Sequence, residues 1–234
     1  MYKGQTSVRG GIEDFLCPFT DMYITQGSHM YPTHMGIMAN DVRGSEPGIT
    51  YPYYAPCTVR CMKVYSESGQ SMWQSVNNVR CANGYIGKVT FMIAHDDTQD
   101  CYVGQVVKQG IQLGNMGTKG YATGVHCHIQ TEQGDDISWY KNSYGVYQFN
   151  NEVDLDDMYF VDNTNIINGM GGNWKVTSDV PVGEEVDQIL HVGSYVEIPG
   201  RFEVIDVNTK DDTALVRIDG KDYWIQCNPL LEVK

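Results

Sequence analysis

The sequence has no apolar run of membrane-spanning length and no long stretch with 3.6-residue periodicity, so neither a membrane helix nor a long amphipathic helix is expected. Positive charge is scarce: 16 Lys+Arg face 29 Asp+Glu, a formal net charge of −13. A phosphate backbone or an anionic membrane surface would repel such a chain overall, which argues against nucleic acid and membranes as partners. The first residues, MYKGQTSVRGGIEDFLCPF, carry no apolar segment behind Lys3, so no secretory signal is expected and synthesis in a cytosol is. There is no internal repeat and no low-complexity tract. Disulfide or zinc-finger patterning is also missing. The seven cysteines are odd in number and scattered, and Cys57 and Cys61 form a lone C-x-x-x-C without a second pair, so free, buried thiols are expected.

What is present is a chain of short apolar runs punctuated by Gly, Asn, Asp and Pro, with 25 glycines and 16 tyrosines, and 41% hydrophobic residues to build a core. This pattern predicts a mostly β protein. From about Tyr51 to Gln130, strand-like segments CTVRCMKVYS, YIGKVTFMIAHDD and GVHCHIQTE alternate with loops ESGQS and NMGTKGYATG. The stretch VDNTNIINGMGGNW, rich in Asn and Gly, reads as a linker. After it GSYVEIPG, RFEVIDVN and ALVRIDGKDYWIQ read as short strands of a small β-barrel, with Asp219-Gly220 as a hairpin turn. The expected organisation is a first domain over 1–162, a linker over 163–175 and a small domain over 176–234.

Histidines carry the chemistry. In a strand, residues two apart project to one face, so His126 and His128 would point together and Cys127 away from them. His95 closes the apolar strand KVTFMIAH, where a strand end can deliver a polar group to a cleft, and His34 lies in PTHMGIMANDVRG, followed seven residues on by Asp41. By contrast His29 and His191 lack such settings and read as surface residues. Each candidate taken singly has an ordinary alternative, as a solvated or capping side chain.

In this order, His34, His95 after an apolar strand, and the run Gly114-Asn-Met-Gly117-Thr-Lys-Gly120-Tyr-Ala-Thr123-Gly124-Val-His126-Cys-His128, the chain resembles the lysostaphin-type zinc endopeptidases over about residues 20 to 135. The resemblance implies an antiparallel β-sheet metallopeptidase domain with a groove over Zn2+. It implies His34 and His128 as zinc ligands together with an aspartate, and His95 and His126 as catalytic groups beside the metal. A catalytic zinc keeps three protein ligands and an open position, and it lowers the pKa of water towards about 7. A neutral imidazole can then take a proton, and an imidazolium can stabilise the oxyanion or protonate the leaving amine. Which histidine does which is open. The family pattern H-x-x-x-D would place the aspartate at position 38, which is Met38, a soft thioether. Either a short insertion lets Asp41 close the site, or the carboxylate is lost; the retained histidines favour the insertion, and Asp21, Asp96 and Asp97 are weaker substitutes for Asp41. Asp96 and Asp97 read instead as acids that orient His95.

The C-terminal part resembles the bacterial SH3-like domains of wall hydrolases, through V-G-S-Y-V, the hairpin and the strand Tyr223-Trp224-Ile225. One of Tyr223 and Trp224 should pack inside the barrel and the other line a wall-binding groove. The combined expectation is a phage endolysin that cuts peptide bonds in bacterial peptidoglycan, made in the host cytoplasm and released to the wall. A virion-associated tail lysin fits the same features. Two rivals from other classes are a non-catalytic wall-binding protein on a decayed scaffold, and a copper or nickel storage site that includes His126-Cys127-His128.

Overall fold

A computed structural model of the chain describes residues 1–161, 164–168, 203–208, 213–218 and 221–226, and beyond residue 164 the description is of the backbone. The chain divides into two compact units, Met1–Ile189 and Leu190–Lys234. Among the described residues the only helix is one turn, Leu155–Met158, and no helix is long and apolar enough to cross a membrane. The expectation of a mostly β, largely antiparallel protein holds.

The first unit is organised by one large sheet. Its strands, in chain order, are β1 (Asp21–Gln26), β2 (Ala39–Arg43), β3 (Val59–Tyr65), β4 (Gln70–Ser75), β5 (Val89–Ala94), β6 (Val106–Val107), β7 (Cys127–Gln133), β8 (Glu152–Val153) and β9 (Asn165–Asn168). They line up as β6-β3-β4-β5-β7-β2-β1-β9, and β8 continues the β2 edge of β7. All pairs are antiparallel except β9 with β1, where Asn165 to Asn168 run beside Asp21 to Ile24. Those four residues belong to the stretch expected as a linker. Backbone pairing therefore extends the sheet past residue 162, and most of the rest of that stretch lies outside the described residues.

Period-2 alternation assigns the two faces. Directly opposed residues share a face, so Phe91 with Trp73, Ile93 with Ile129 and Cys127 with Val42 point into the main core. On the other face His128 stands opposite Ala94 and Asp41, and Gln130 opposite Met92. Every residue of β5 is buried, because a hairpin made by β10 (Trp139–Lys141) and β11 (Tyr147–Phe149) lies over this second face. Phe149 and Trp139 pack there on Met72, Met92 and Ala94. The Gln130 amide donates to the Tyr147 carbonyl at 2.9 Å and locks the hairpin down.

Five of the six described cysteines are buried, all six are free, and Cys101 is half-buried. Burial pushes the Cys17, Cys57 and Cys127 thiols up, Cys57 and Cys127 well above the ordinary value. Cys227 lies outside the described residues. In the second unit β12 (Glu203–Asn208), β13 (Thr213–Ile218) and β14 (Lys221–Gln226) form an antiparallel three-stranded sheet. Ile218 faces Lys221 across the two-residue connection at Asp219-Gly220, which itself lies outside the described residues. The Tyr223 and Trp224 side chains, expected to serve wall binding, also lie outside the description.

Candidate metal centre and its surroundings

Strand register brings the candidate ligands together. Asp41 sits on β2 directly across from His128 on β7, so one sheet face carries both side chains. The six intervening residues between His34 and Asp41 thus do not need a long reach, because Asp41 belongs to a strand and the loop only has to return His34. Within that loop His34 is fully buried, and its Nδ1 lies 2.9 Å from the Gly27 carbonyl. A carbonyl can only accept, so Nδ1 carries a proton and Nε2 is the nitrogen turned toward the cluster. That nitrogen is 3.1 Å from His128 Nδ1 and 3.2 Å from Asp41 Oδ1, while His128 Nδ1 lies 2.9 Å from Asp41 Oδ1.

Three donor atoms in a triangle with edges near 3 Å are what a small divalent ion needs. Tetrahedral bonds of about 2.0–2.1 Å hold their donors about 3.3 Å apart. Two imidazole nitrogens and one carboxylate oxygen suit zinc, and three protein donors leave a fourth position open. Burial works to raise the Asp41 carboxyl, but hydrogen bonds and charge from His128 and His34 outweigh it and hold the group well below the usual carboxylate range. The acid is ionised and aimed, as a ligand must be.

His95 and His126 flank this triangle. Their ring centroids are 4.5 Å apart, and His95 is 6.3 Å from the His128 ring. His126 Nε2 approaches Asp41 Oδ1 only to 3.8 Å, which keeps it outside the tight cluster. Each ring is oriented by a backbone carbonyl: His95 Nδ1 donates to Lys119 at 2.8 Å, and His126 Nδ1 to Gly124 at 2.7 Å. This corrects the expectation for Asp96 and Asp97. Asp96 is buried and accepts from Tyr53, Thr98, Gln99 and Asn115, and Asp97 accepts from the Thr118 amide, so neither orients His95. Burial, reinforced by the neighbouring His126 and His128, lowers the His95 pKa against the opposing pull of the Lys119 carbonyl. The Met38 backbone amide donates to a Glu152 carboxylate oxygen at 2.7 Å.

Two glycines of the run, Gly114 and Gly117, are explained by closeness. A Cβ on Gly117 would lie 2.4 Å from the His95 carbonyl oxygen, and on Gly114 2.0 Å from an Asp96 oxygen. Gly117 also exchanges both backbone hydrogen bonds with His126, at 3.0 Å each. One backbone position therefore braces both flanking histidines.

Several parts of the site were not anticipated. The β10–β11 hairpin forms a wall: Asn142 donates to the Met35 carbonyl at 2.9 Å, and Tyr144 packs on Gly36 in the His34 loop. Along it Trp139 stacks near Tyr65 and Tyr147, at 6.1 and 5.3 Å, and Tyr140, Tyr144 and Tyr147 are exposed. The alternation in SWYK and YQF around Asn142-Ser143-Tyr144-Gly145 is the signal that could have revealed it. A cavity of about 290 Å3 is bounded by Asp41, Arg43 and His126. His29 is exposed, as expected of a surface residue, and His191 lies outside the described residues.

No protein-family model matches the chain. Morphogenesis protein 1 of Bacillus phage B103 is 31% identical over 183 residues, which is 78% of this chain and 48% of that protein; the chain spans about half its length. Among solved structures, the catalytic domain of the antimicrobial peptidase lysostaphin from Staphylococcus simulans is 20% identical, with 52% of this chain and 82% of that one covered and a TM-score of 0.34. A prophage-encoded M23 protein, EnpA, from Enterococcus faecalis is 18% identical over 60% of this chain and 94% of that one, with a TM-score of 0.36. A zinc-containing peptidase from Vibrio cholerae is 20% identical over 46% of this chain and 32% of that one, with a TM-score of 0.34.

Proposed function

We propose that the chain is a zinc-dependent endopeptidase that hydrolyses peptide bonds of bacterial peptidoglycan. The observation that carries this reading is the convergence of His34 Nε2, His128 Nδ1 and Asp41 Oδ1 within hydrogen-bond distance of one another, beside two more histidines that stay outside the cluster. A storage site for soft metals has no use for two oriented imidazoles outside the donor set, and a decayed scaffold no use for a half-buried, aimed Asp41. Bound zinc would supply Lewis acidity, polarising a carbonyl and lowering the pKa of water.

The chain's own residues do the rest. With Nδ1 committed to the Lys119 carbonyl, His95 keeps Nε2 free as a proton acceptor, and its lowered pKa keeps the ring neutral at neutral pH. It is the general base that takes the proton from the attacking water. His126, with Nδ1 committed to Gly124, presents Nε2 to the developing oxyanion and the leaving amine. The tyrosine-bearing hairpin and the cavity beside Arg43 form the walls between which an extended peptide lies.

The second unit is the wall-binding module in this reading, with Tyr223 or Trp224 stacking on wall glycan or peptide and holding the enzyme on an insoluble substrate. Likeness to a phage morphogenesis protein favours a virion-borne lysin over one released at the end of infection. Metal analysis and wall digestion test the function together. The purified protein should carry about one zinc per chain, and His128→Ala or Asp41→Ala should lose the zinc and the release of new amino termini from walls. Digestion by metal-free protein, or full zinc retention in either variant, would overturn the assignment.

A further inference from the structure

Arg43 is a cation without an acid. Among the described residues no carboxylate lies within ion-pair distance of it, although the chain carries a net charge of −13. Its guanidinium is held in place by other means. The plane stacks over the Tyr23 ring at 3.6 Å, and Nη1 donates to the carbonyls of Gly44 and Ser45 at 2.7 and 2.9 Å. Nε and Nη2 make no hydrogen bond to the described residues. These two nitrogens form the side of the fork that matches a carboxylate with two parallel bonds. Arg43 lines the cavity of about 290 Å3 that also touches Thr25, Pro47, Thr123, His126 and the ligand Asp41.

Strand geometry sets the distance to the reacting centre. Arg43 and Asp41 are two residues apart on β2 and face the same way, so their backbones are separated by about 7 Å. An extended substrate advances about 3.3–3.6 Å per residue, which corresponds to two residues. The Asp41 charge does not compete for the guanidinium, because His34 and His128 engage it.

Resting on the peptidase reading above, we propose that Arg43 and the cavity beside it form an anionic subsite that selects peptides bearing a free carboxylate within about two residues of the bond cut. A peptide amidated at that position leaves the fork unmatched and loses the register that the stacked guanidinium provides. Arg43→Lys retains a point charge but not the fork.

The test uses the full chain loaded with zinc and one wall preparation, freed of phosphate polymers with hydrofluoric acid. Half is converted to carboxamides with a carbodiimide and ammonium. The native protein should release termini from the untreated half about tenfold faster or more. Arg43→Gln should lose that preference and Arg43→Lys keep only part of it, with zinc content unchanged in both. Equal rates on the two halves for the native protein, or an undiminished preference in Arg43→Gln, would overturn the proposal. If no wall is digested, the peptidase reading fails and binding decides the subsite. Acetyl-Ala-Glu-amide should then shift the amide resonances of Thr25, Thr123 and Gly124 in the native protein but not in Arg43→Gln, and acetyl-Ala-Gln-amide should shift neither. Equal shifts with both dipeptides would overturn it.

Discussion

His95 and His126 differ from His34 and His128 in what their rings are tied to, and that difference predicts separable phenotypes. Because neither flanking ring belongs to the tight donor triangle, His95→Ala and His126→Ala should each retain zinc and lose about 10²–10⁴-fold in turnover, read by metal analysis beside digestion rates. Retained turnover in either variant would remove that ring from the mechanism. A second residue-scale prediction concerns Glu132, which is fully buried on β7 with its Oε2 accepting from the Asn151 amide at 3.3 Å and its Oε1 poorly satisfied. Burial, the dominant cause, pushes its carboxyl up to about 7. The folded state then binds a proton that the unfolded chain releases near 4.5, so folding stability falls as pH rises from about 4.5 through 7. Glu132→Gln should leave stability at pH 4.5 nearly unchanged and raise it at pH 8 by on the order of 2 kcal/mol, measured by urea denaturation at the two pH values. An equal gain at both would show that charge burial is not the cause.

At the scale of elements, the segment from Gly114 to His128 is the most constrained part of the site. Gly117→Ala places a methyl carbon 2.4 Å from the His95 carbonyl oxygen, and backbone cannot yield as a flexible side chain can. Misplacing His95 and His126 by about 1 Å should cost about 10²-fold in turnover while the donor triangle, held by β2, β7 and the His34 loop, keeps its metal; zinc loss in this variant would contradict the division of labour. Such reasoning also shows what could be read from the sequence. Alternation in GVHCHIQTE was enough to turn His126 and His128 the same way, since a strand period of two fixes faces without tertiary knowledge, whereas His95 follows β5 at a positive φ of 74°, a turn that alternation does not show. Asp41 was harder, because its place depends on the pairing of β2 with β7, and register is a property of two strands rather than of one. The carbonyls of Lys119, Gly124 and Gly27 were invisible, as every residue type carries a carbonyl. Asn165–Asn168 looked like linker by composition, yet backbone pairing with β1 is indifferent to the side chains.

For the whole molecule, the cysteines bear on how the first unit holds together. Six thiols are distributed through the first unit from Cys17 to Cys127, and all but Cys101 are sealed in its core. Alkylation needs thiolate and access together. Under native conditions a maleimide should therefore modify Cys101 first among these six, and Cys17, Cys57, Cys61, Cys81 and Cys127 only as the surrounding strands open, followed site by site with mass spectrometry. Rapid native labelling of Cys57 or Cys127 would contradict their placement. The cysteines thus form a set of internal clocks: their order of labelling in rising denaturant would tell whether the sheet yields from its edges or all at once.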